Sequence, residues 1–117
     1  PEAHYNLGAS LKKQGELTGA IASYQAALAL KPNYPKAHYN LGNAYQEIGD
    51  LISAISSFKS TLKLKPNYPK ASLNLAMAEL LIAHYKSGLE RYESRLKKRK
   101  INSFSFPLLL AKYGIEI

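Results

Sequence analysis

Three asparagines recur along this sequence at intervals of 34 residues: Asn6, Asn40 and Asn74. A carboxamide carries one acceptor and two donors, so it can pair with a peptide unit whatever side chain that unit bears. Asparagine is a mediocre helix former, and three in register within helices need a reason. The column therefore predicts a site that holds the backbone of an extended protein segment. Contacts between helices are the alternative explanation.

Residues suited to other kinds of chemistry are few. The 117-residue chain has no cysteine, which excludes disulfides, thiolate nucleophiles and thiolate metal ligands. Of the three histidines, His4 and His38 occupy equivalent positions 34 residues apart, so we interpret both as packing residues. The sequence has neither an HExxH pattern nor a nucleophile elbow. We therefore predict a protein that is not an enzyme and has no metal site or cofactor.

The 34-residue period extends to whole blocks of sequence. PEAHYNLG at residues 1–8 returns as PKAHYNLG at 35–42 and, more loosely, as PKASLNLA at 69–76. LKPNYP closes the first two units identically, at 30–35 and 64–69. A period of this length is typical of a solenoid, in which each unit buries its apolar face only against its neighbours.

Within each unit the apolar residues follow a helical period twice. In the first unit Leu7 and Leu11 belong to one stripe, and Ile21 belongs to a second stripe that begins after a glycine. Gly15 and its equivalent Gly49 lie between the stripes, where a residue without Cβ can end a helix in the left-handed conformation. The prolines of LKPNYP then separate one unit from the next. The pattern predicts an all-α fold built from antiparallel helix pairs.

The unit resembles the tetratricopeptide repeat. Both complete units have Leu at position 7, Gly at 8, Ala at 20, an aromatic residue at 24 and Pro at 32, although His4 and His38 stand where that family usually has Trp. The resemblance covers residues 1 to about 102 and implies a right-handed superhelical stack, a TPR solenoid. It is strongest to the arrays of O-linked N-acetylglucosamine transferase-type and bacterial TPR/glycosyltransferase proteins. In the former, an asparagine ladder holds substrate backbone.

The same resemblance places a concave groove on the first helix of each unit, opposite the core stripe. Tyr5, Tyr39 and Leu73 are expected to supply apolar contact, and lysines a preference for acidic segments. The predicted groove residues are Tyr5, Asn6, Lys12, Lys13, Lys36, Tyr39, Asn40, Asn43, Lys70, Leu73, Asn74 and Met77.

The third unit departs from the pattern, since Ala83 replaces the turn glycine. We nonetheless predict a second helix from Tyr85 to about Arg99, and a short capping helix at Phe106–Tyr113. The competing interpretation is that this apolar tail binds the groove or another molecule. The predicted segments are unit one (1–34), unit two (35–68), an atypical unit three (69–102) and the capping tail (103–117).

The charge balance favours acidic partners, because sixteen Lys and Arg outweigh eight Asp and Glu to give +8. The densest basic run, Arg95–Lys100, is interpreted as a solvated helix end, with a phosphate, anionic-lipid or acidic-protein contact as the alternative. No nucleic-acid motif accompanies it, so nucleic acid is not expected as a partner.

The longest uncharged apolar run, Phe106 to Ala111, is too short to form a transmembrane segment. Without cysteine or a signal-peptide pattern, we expect a cytoplasmic setting. The chain begins at Pro1 rather than Met, and we expect it to be a piece of a longer protein.

These observations predict a non-catalytic protein-binding module that holds an extended segment of a partner in its groove. Two alternatives remain. Residues 85–95 resemble the last repeat before bacterial glycosyltransferase-type domains, with Leu89 and Ser94 where those usually carry Trp. This would make the chain a substrate-recruiting part of a larger enzyme. The other is a self-assembling scaffold, a homo-oligomer joined through exposed repeat ends or the tail.

Overall fold

The computed structural model describes residues 1–98, with side chains as far as Ser94, and over that range it is helical with no strand. The predicted all-α fold is confirmed. Within residues 1–98, no helix combines the length and apolar character needed to cross a membrane. The helices are α1 (Glu2–Lys13), α2 (Leu17–Leu30), α3 (Pro35–Ile48), α4 (Leu51–Leu64) and α5 (Pro69–Lys98).

The first four helices form two pairs, α1 with α2 and α3 with α4, and α2 also packs against α3. Each pair turns at a glycine, as predicted: Gly15 has φ +82° and Gly49 has φ +88°. A Cβ at either position would meet nothing within 4 Å. Glycine is therefore favoured there by the backbone conformation and not by a lack of space for a side chain. Asp50 then caps α4 by accepting a hydrogen bond from the Ser53 N–H at 3.1 Å.

Glycine is needed at position 8 of the first two units for a different reason, because an aromatic ring of the second helix approaches the first helix closely there. A Cβ on Gly8 would lie 2.8 Å from the Tyr24 ring, and one on Gly42 would lie 2.6 Å from the Phe58 ring. Both rings are buried, as is the alanine at position 20 of each unit. Each pair is therefore held by an aromatic ring of its second helix lying directly over a glycine of its first.

The prediction of a second, separate helix in the third unit is wrong. α5 is one uninterrupted helix from Pro69 to Lys98 and passes through Ala83 without a turn. Alanine is the best helix former and is disfavoured at the positive φ that Gly15 and Gly49 adopt, so nothing at this position ends the helix. The interior Gly88 sits in open space and does not interrupt it either.

The chain divides into two compact regions, which do not coincide with the 34-residue units. The first is Pro1–Glu79 and the second begins at Leu80. The predicted capping helix at Phe106–Tyr113 and the segment 103–117 lie outside the described residues. The side chains of the basic run Arg95–Lys100 do so as well. The boundaries of a third repeat at 69–102 remain a prediction.

Candidate interaction surface

Tyr5 joins the first unit to the second. The Asn40 side chain of α3 donates one hydrogen bond from Nδ2 to Tyr5 Oη at 2.9 Å and another to the Lys36 carbonyl oxygen at 3.0 Å. A carbonyl oxygen can only accept, so the second bond fixes which end of the Asn40 amide faces it. Both amide hydrogens of Asn40 are therefore used inside the protein.

Aromatic and cationic groups surround the Tyr5 ring. The ring of Tyr34, from the linker between the two units, stacks on it at a centroid distance of 5.3 Å, and the Tyr24 ring lies at 5.7 Å. Lys36 Nζ lies 5.5 Å from the centroid of the Tyr5 ring, and Lys31 Nζ lies 4.7 Å from that of Tyr34. Cations over aromatic faces at this range are attracted by the ring quadrupole. This contact between the first two units, around Tyr5 and Asn40, is called the first junction, and it is packed on several sides.

The same arrangement returns one repeat later, within residues 1–79. Asn74 Nδ2 donates to Tyr39 Oη at 3.3 Å and to Asn43 Oδ1 at 2.8 Å. The Tyr39 ring lies 6.0 Å from Phe58 and 5.1 Å from Tyr68 of the next linker. The second junction therefore differs mainly in its second acceptor, a side-chain oxygen in place of a backbone carbonyl.

Burial favours the neutral form of four tyrosines at and near the junctions. Burial raises the pKa of Tyr5, with the hydrogen bond from Asn40 acting in the opposite direction. Burial, followed by the nearby Tyr5, raises the pKa of Tyr24 from 10.0 to about 12. Burial is also the first cause of the raised pKa values of Tyr34 and Tyr68. At neutral pH the Tyr5 hydroxyl therefore accepts from Asn40 and keeps its own hydrogen.

The side-chain oxygens of Asn40 and Asn74 have no donor among the described residues. Among the described residues there is also no buried side-chain nitrogen or oxygen without a partner, so both oxygens reach solvent. Each junction thus offers an open acceptor beside a tyrosine hydroxyl.

Comparison with known protein families identifies the helix pairs. One model described as a TPR repeat matches residues 10–49, and another described as a tetratricopeptide repeat matches residues 35–68. The chain contains tetratricopeptide repeats. Proteins with these repeats generally bind protein partners, and the matches support a protein-interaction or scaffold module.

Two solved structures of MamA are similar to this TPR chain. One is 30% identical, with a TM-score of 0.66 and coverage of 82% of this chain and 60% of the MamA chain. The other is 27% identical, with a TM-score of 0.69 and coverage of 99% and 59% respectively. The chain therefore spans about three-fifths of the length of these MamA chains. No curated protein matches it.

The TPR structure brings together six of the predicted groove residues. Tyr5, Lys36 and Asn40 meet at the first junction, and Tyr39, Asn43 and Asn74 meet at the second. Asn40 and Asn74 use amide hydrogens for contacts between helices. This is the alternative that the sequence left open. Binding of a peptide by these residues remains a prediction.

The other predicted groove residues lie apart from the junctions. Lys12 Nζ is 3.9 Å from Glu47 Oε1 of the second unit, so it is partly neutralised. Leu73 and Met77 stand one turn apart on α5 and are 61% and 47% exposed. The remaining three side chains are exposed: Asn6, Lys13 and Lys70.

Sequence reasoning missed the linker tyrosines. The repeat pattern predicts no role for Tyr34 and Tyr68 beyond the LKPNYP segment that separates the units, although that segment is repeated without change. Identity over six residues in a loop was the signal, because a spacer alone would tolerate substitution. The structure shows that these rings stack on Tyr5 and Tyr39.

A second surface lies on the opposite side of α3. An open groove of about 270 Å³ is lined by residues of α2, α3 and α4, including Leu41, Tyr45 and Ser56. With 100° of rotation per residue, Leu41 and Tyr45 project on average about 140° from Asn40 and Asn43. The two surfaces can therefore be altered independently.

Proposed function

We propose that the TPR units hold an extended segment of a partner protein along the face formed by α1, α3 and the first turns of α5. The observation that carries the proposal is the open Oδ1 atom beside a tyrosine hydroxyl, present at two equivalent junctions. This deepens the general role of a protein-interaction module by naming which atoms would meet the partner.

The two groups at each junction complement a peptide unit. Asn40 Oδ1 would accept a hydrogen bond from a backbone N–H, and the hydroxyl of Tyr5 would donate to a backbone carbonyl. Because both amide hydrogens of Asn40 are already bonded, the side chain is held in one orientation before the partner arrives. A preorganised acceptor lowers the entropy lost on binding.

The repeat spacing suits an extended chain. Helices packed roughly 10 Å apart would place one junction for about every three residues of extended peptide. On α5, the exposed Leu73 and Met77 offer apolar contact. The exposed Lys13, Lys36 and Lys70 and the net charge of +8 favour a segment with acidic residues.

Selection from phage-displayed random dodecapeptides, followed by affinity measurement on the purified full chain, tests this proposal. The substitutions Asn40→Ala and Asn74→Ala together are expected to weaken the selected peptide at least tenfold. Asn67→Ala is the matched control, since Asn67 is an exposed asparagine in a linker, and it should leave the affinity unchanged. N-methylation of single peptide nitrogens should weaken binding at positions about three residues apart.

The ladder substitutions also remove bonds between units, so the unfolding of each variant must be measured by urea titration under the same conditions. The proposal requires a loss of affinity under conditions where both variants are fully folded. Unchanged affinity in the folded double variant, or N-methylation without effect at every position, would show that the junctions do not hold peptide backbone.

A further inference from the structure

The linker that follows each helix pair has the same sequence in both places. LKPNYPK occupies residues 30–36 and returns at residues 64–70, so seven consecutive residues are identical. The tyrosine of each copy packs on Tyr5 or Tyr39 at a junction. The leucine and both lysines of each copy are exposed. The identity of the linkers therefore extends to side chains in contact with solvent.

Both linkers lie at one edge of the region 1–79. The helices of each pair are antiparallel, so α1 and α3 begin at this edge and α2 and α4 end there. Tyr34 packs on Tyr5 near the start of α1, which agrees with this placement. Tyr68 packs likewise on Tyr39 near the start of α3. We call this side the linker edge and the opposite side, which holds the two glycine turns, the turn edge.

Positive charge is concentrated at the linker edge. Within residues 1–79 this edge carries five lysines and one acidic residue, Glu2, whereas the turn edge carries two lysines and three acidic residues. The lysines of the linker edge are Lys31, Lys36, Lys63, Lys65 and Lys70, and the charged residues of the turn edge are Lys12, Lys13, Glu16, Glu47 and Asp50. The antiparallel topology thus separates charges that are mixed along the sequence.

Two of these lysines stand where the helix dipole disfavours a cation. Lys36 and Lys70 lie in the first turns of α3 and α5, where acidic residues are favoured. The first turn of α1 has Glu2 at the equivalent position. Lys36 is attracted by the Tyr5 ring, but Lys70 has neither a ring contact nor an ion pair within the described residues. Helix stability therefore does not explain Lys70, whereas an anionic partner does.

An exposed leucine accompanies the lysines of each linker. Leu30 ends α2 and is 62% exposed, and Leu64 ends α4 and is 39% exposed. Each leucine directly precedes a lysine of the linker edge. Apolar side chains flanked by cations suit the boundary between the headgroups and the acyl chains of a membrane, where both kinds of group find favourable surroundings.

We propose that the linker edge binds the surface of a membrane that contains anionic lipids. Leu30 and Leu64 enter the boundary between headgroups and acyl chains, and the five lysines contact lipid phosphates. Because the two identical linkers lie at the same edge, both can meet one flat surface. Lysine is a compact hydrated charge without the planar fork of arginine, so it suits a layer of headgroups better than a single oriented phosphate.

Flotation of the full chain with vesicles tests the proposal. Binding is expected with vesicles of two parts phosphatidylcholine to one part phosphatidylglycerol, but not with phosphatidylcholine alone, and added salt should weaken it. Lys31→Gln with Lys65→Gln should lower the partition coefficient roughly thirtyfold, since each lysine near such a surface contributes about fivefold. Neither lysine is among the predicted groove residues. Lys12→Gln with Lys13→Gln, at the turn edge, is the matched control and should have little effect.

A fluorescent label locates the contact in a chain that keeps all its lysines. Since the native chain has no cysteine, one introduced cysteine can carry an environment-sensitive fluorophore. The label on Leu30→Cys or Leu64→Cys should shift its emission to shorter wavelength when the anionic vesicles are added. Ile48→Cys is the matched control, because Ile48 ends α3 at the turn edge and is 49% exposed. Its label should show no shift.

Three results would overturn the proposal. The first is equal partition of the native chain and the Lys31→Gln, Lys65→Gln variant. The second is binding to anionic vesicles without a shift at positions 30 and 64, which would place the contact elsewhere, for example at the basic run Arg95–Lys100. The third is binding to polyglutamate without binding to anionic vesicles, which would assign the linker edge to an acidic protein.

Discussion

Residues 1–68 and residues 69–98 carry variants of one 34-residue pattern, and the two regions fold differently. At position 15 of the pattern, Gly15 and Gly49 have positive φ angles and separate two helices, whereas Ala83 lies within the single helix α5. Glycine at this position therefore goes with a helix pair, and alanine goes with one long helix. The physical reason is that alanine disfavours the left-handed conformation of the turn.

Position 24 shows the consequence for packing. Tyr24 and Phe58 are buried over glycines of their own units, whereas Tyr92, the equivalent residue of the third unit, is 51% exposed. In a continuous helix, residues at positions 8 and 24 lie about 24 Å apart along the axis at 1.5 Å per residue, so they cannot pack on each other. The turn between the two helices therefore allows the aromatic residue at position 24 to be buried in the core.

The largest difference between the regions should follow from removing this aromatic ring. Phe58→Ala is expected to lower the free energy of unfolding by about 3–5 kcal/mol, because a buried ring leaves a cavity. Tyr92→Ala should lower it by less than about 1 kcal/mol, because half of that side chain is exposed. Urea unfolding of the two variants measures both. Equal losses would show that the third unit packs its aromatic residue as the second does.

Alkaline pH should distinguish the first unit from the second. The pKa of Tyr24 is raised from 10.0 to about 12, so the unfolded chain releases this proton first. The stability gained from the neutral phenol is complete below pH 10 and is lost as pH rises toward 12. The difference corresponds to about 2–3 kcal/mol.

Tyr24→Phe, which reproduces the aromatic residue of the second unit, should reduce this loss of stability. Part of the loss should remain, because the pKa values of Tyr5, Tyr34 and Tyr68 are also raised. Unfolding free energies between pH 8 and pH 12 provide the measurement. An identical pH dependence in the variant would refute the burial of the Tyr24 hydroxyl.

The turn itself should have a smaller effect. Gly49→Ala is expected to cost about 1–2 kcal/mol of stability, entirely from the positive φ, since a Cβ there meets nothing within 4 Å. Gly49→Asn is the matched control and should cost less, because asparagine tolerates the left-handed region. Thermal or urea unfolding checks the order of the two variants. An alanine variant as stable as the native protein would contradict the account of the turn.

The smallest effect concerns the ion pair between the first two units. Lys12 Nζ and Glu47 Oε1 are 3.9 Å apart at the surface, and exposed pairs of this kind contribute about 0.2–1 kcal/mol. Lys12→Ala should therefore destabilise the protein slightly, and 1 M salt should abolish the difference from the native chain. The second unit has Gln46 at the equivalent position, so Gln46→Ala should show no salt dependence.

The sequence was sufficient for the parts of the fold that rest on local rules. Helical periodicity located the four helices of the first two units, and Gly15 and Gly49 marked their turns. Ala83 was noticed as a departure, yet the repeat pattern was extended over it, and local helix propensity prevailed. A repeat pattern predicts a turn only where the turn residue itself is present.

The site was predicted in part. The asparagine column was identified from its 34-residue spacing, but its bonds to Tyr5 and Tyr39 were not, because residues 35 positions apart meet only after the units stack. The same holds for the linker tyrosines, whose rings pack across the junction. The exposure of Asn6 also depends on the assembled stack rather than on any property of α1.

A double-mutant cycle between Tyr5→Phe and Asn40→Ala tests the central claim, that a tyrosine–asparagine pair joins successive repeats. Unfolding free energies of the native protein, both single variants and the double variant give the coupling energy directly. The structure predicts a coupling of about 0.5–1.5 kcal/mol, the usual contribution of one such hydrogen bond. Effects that simply add would contradict the claim.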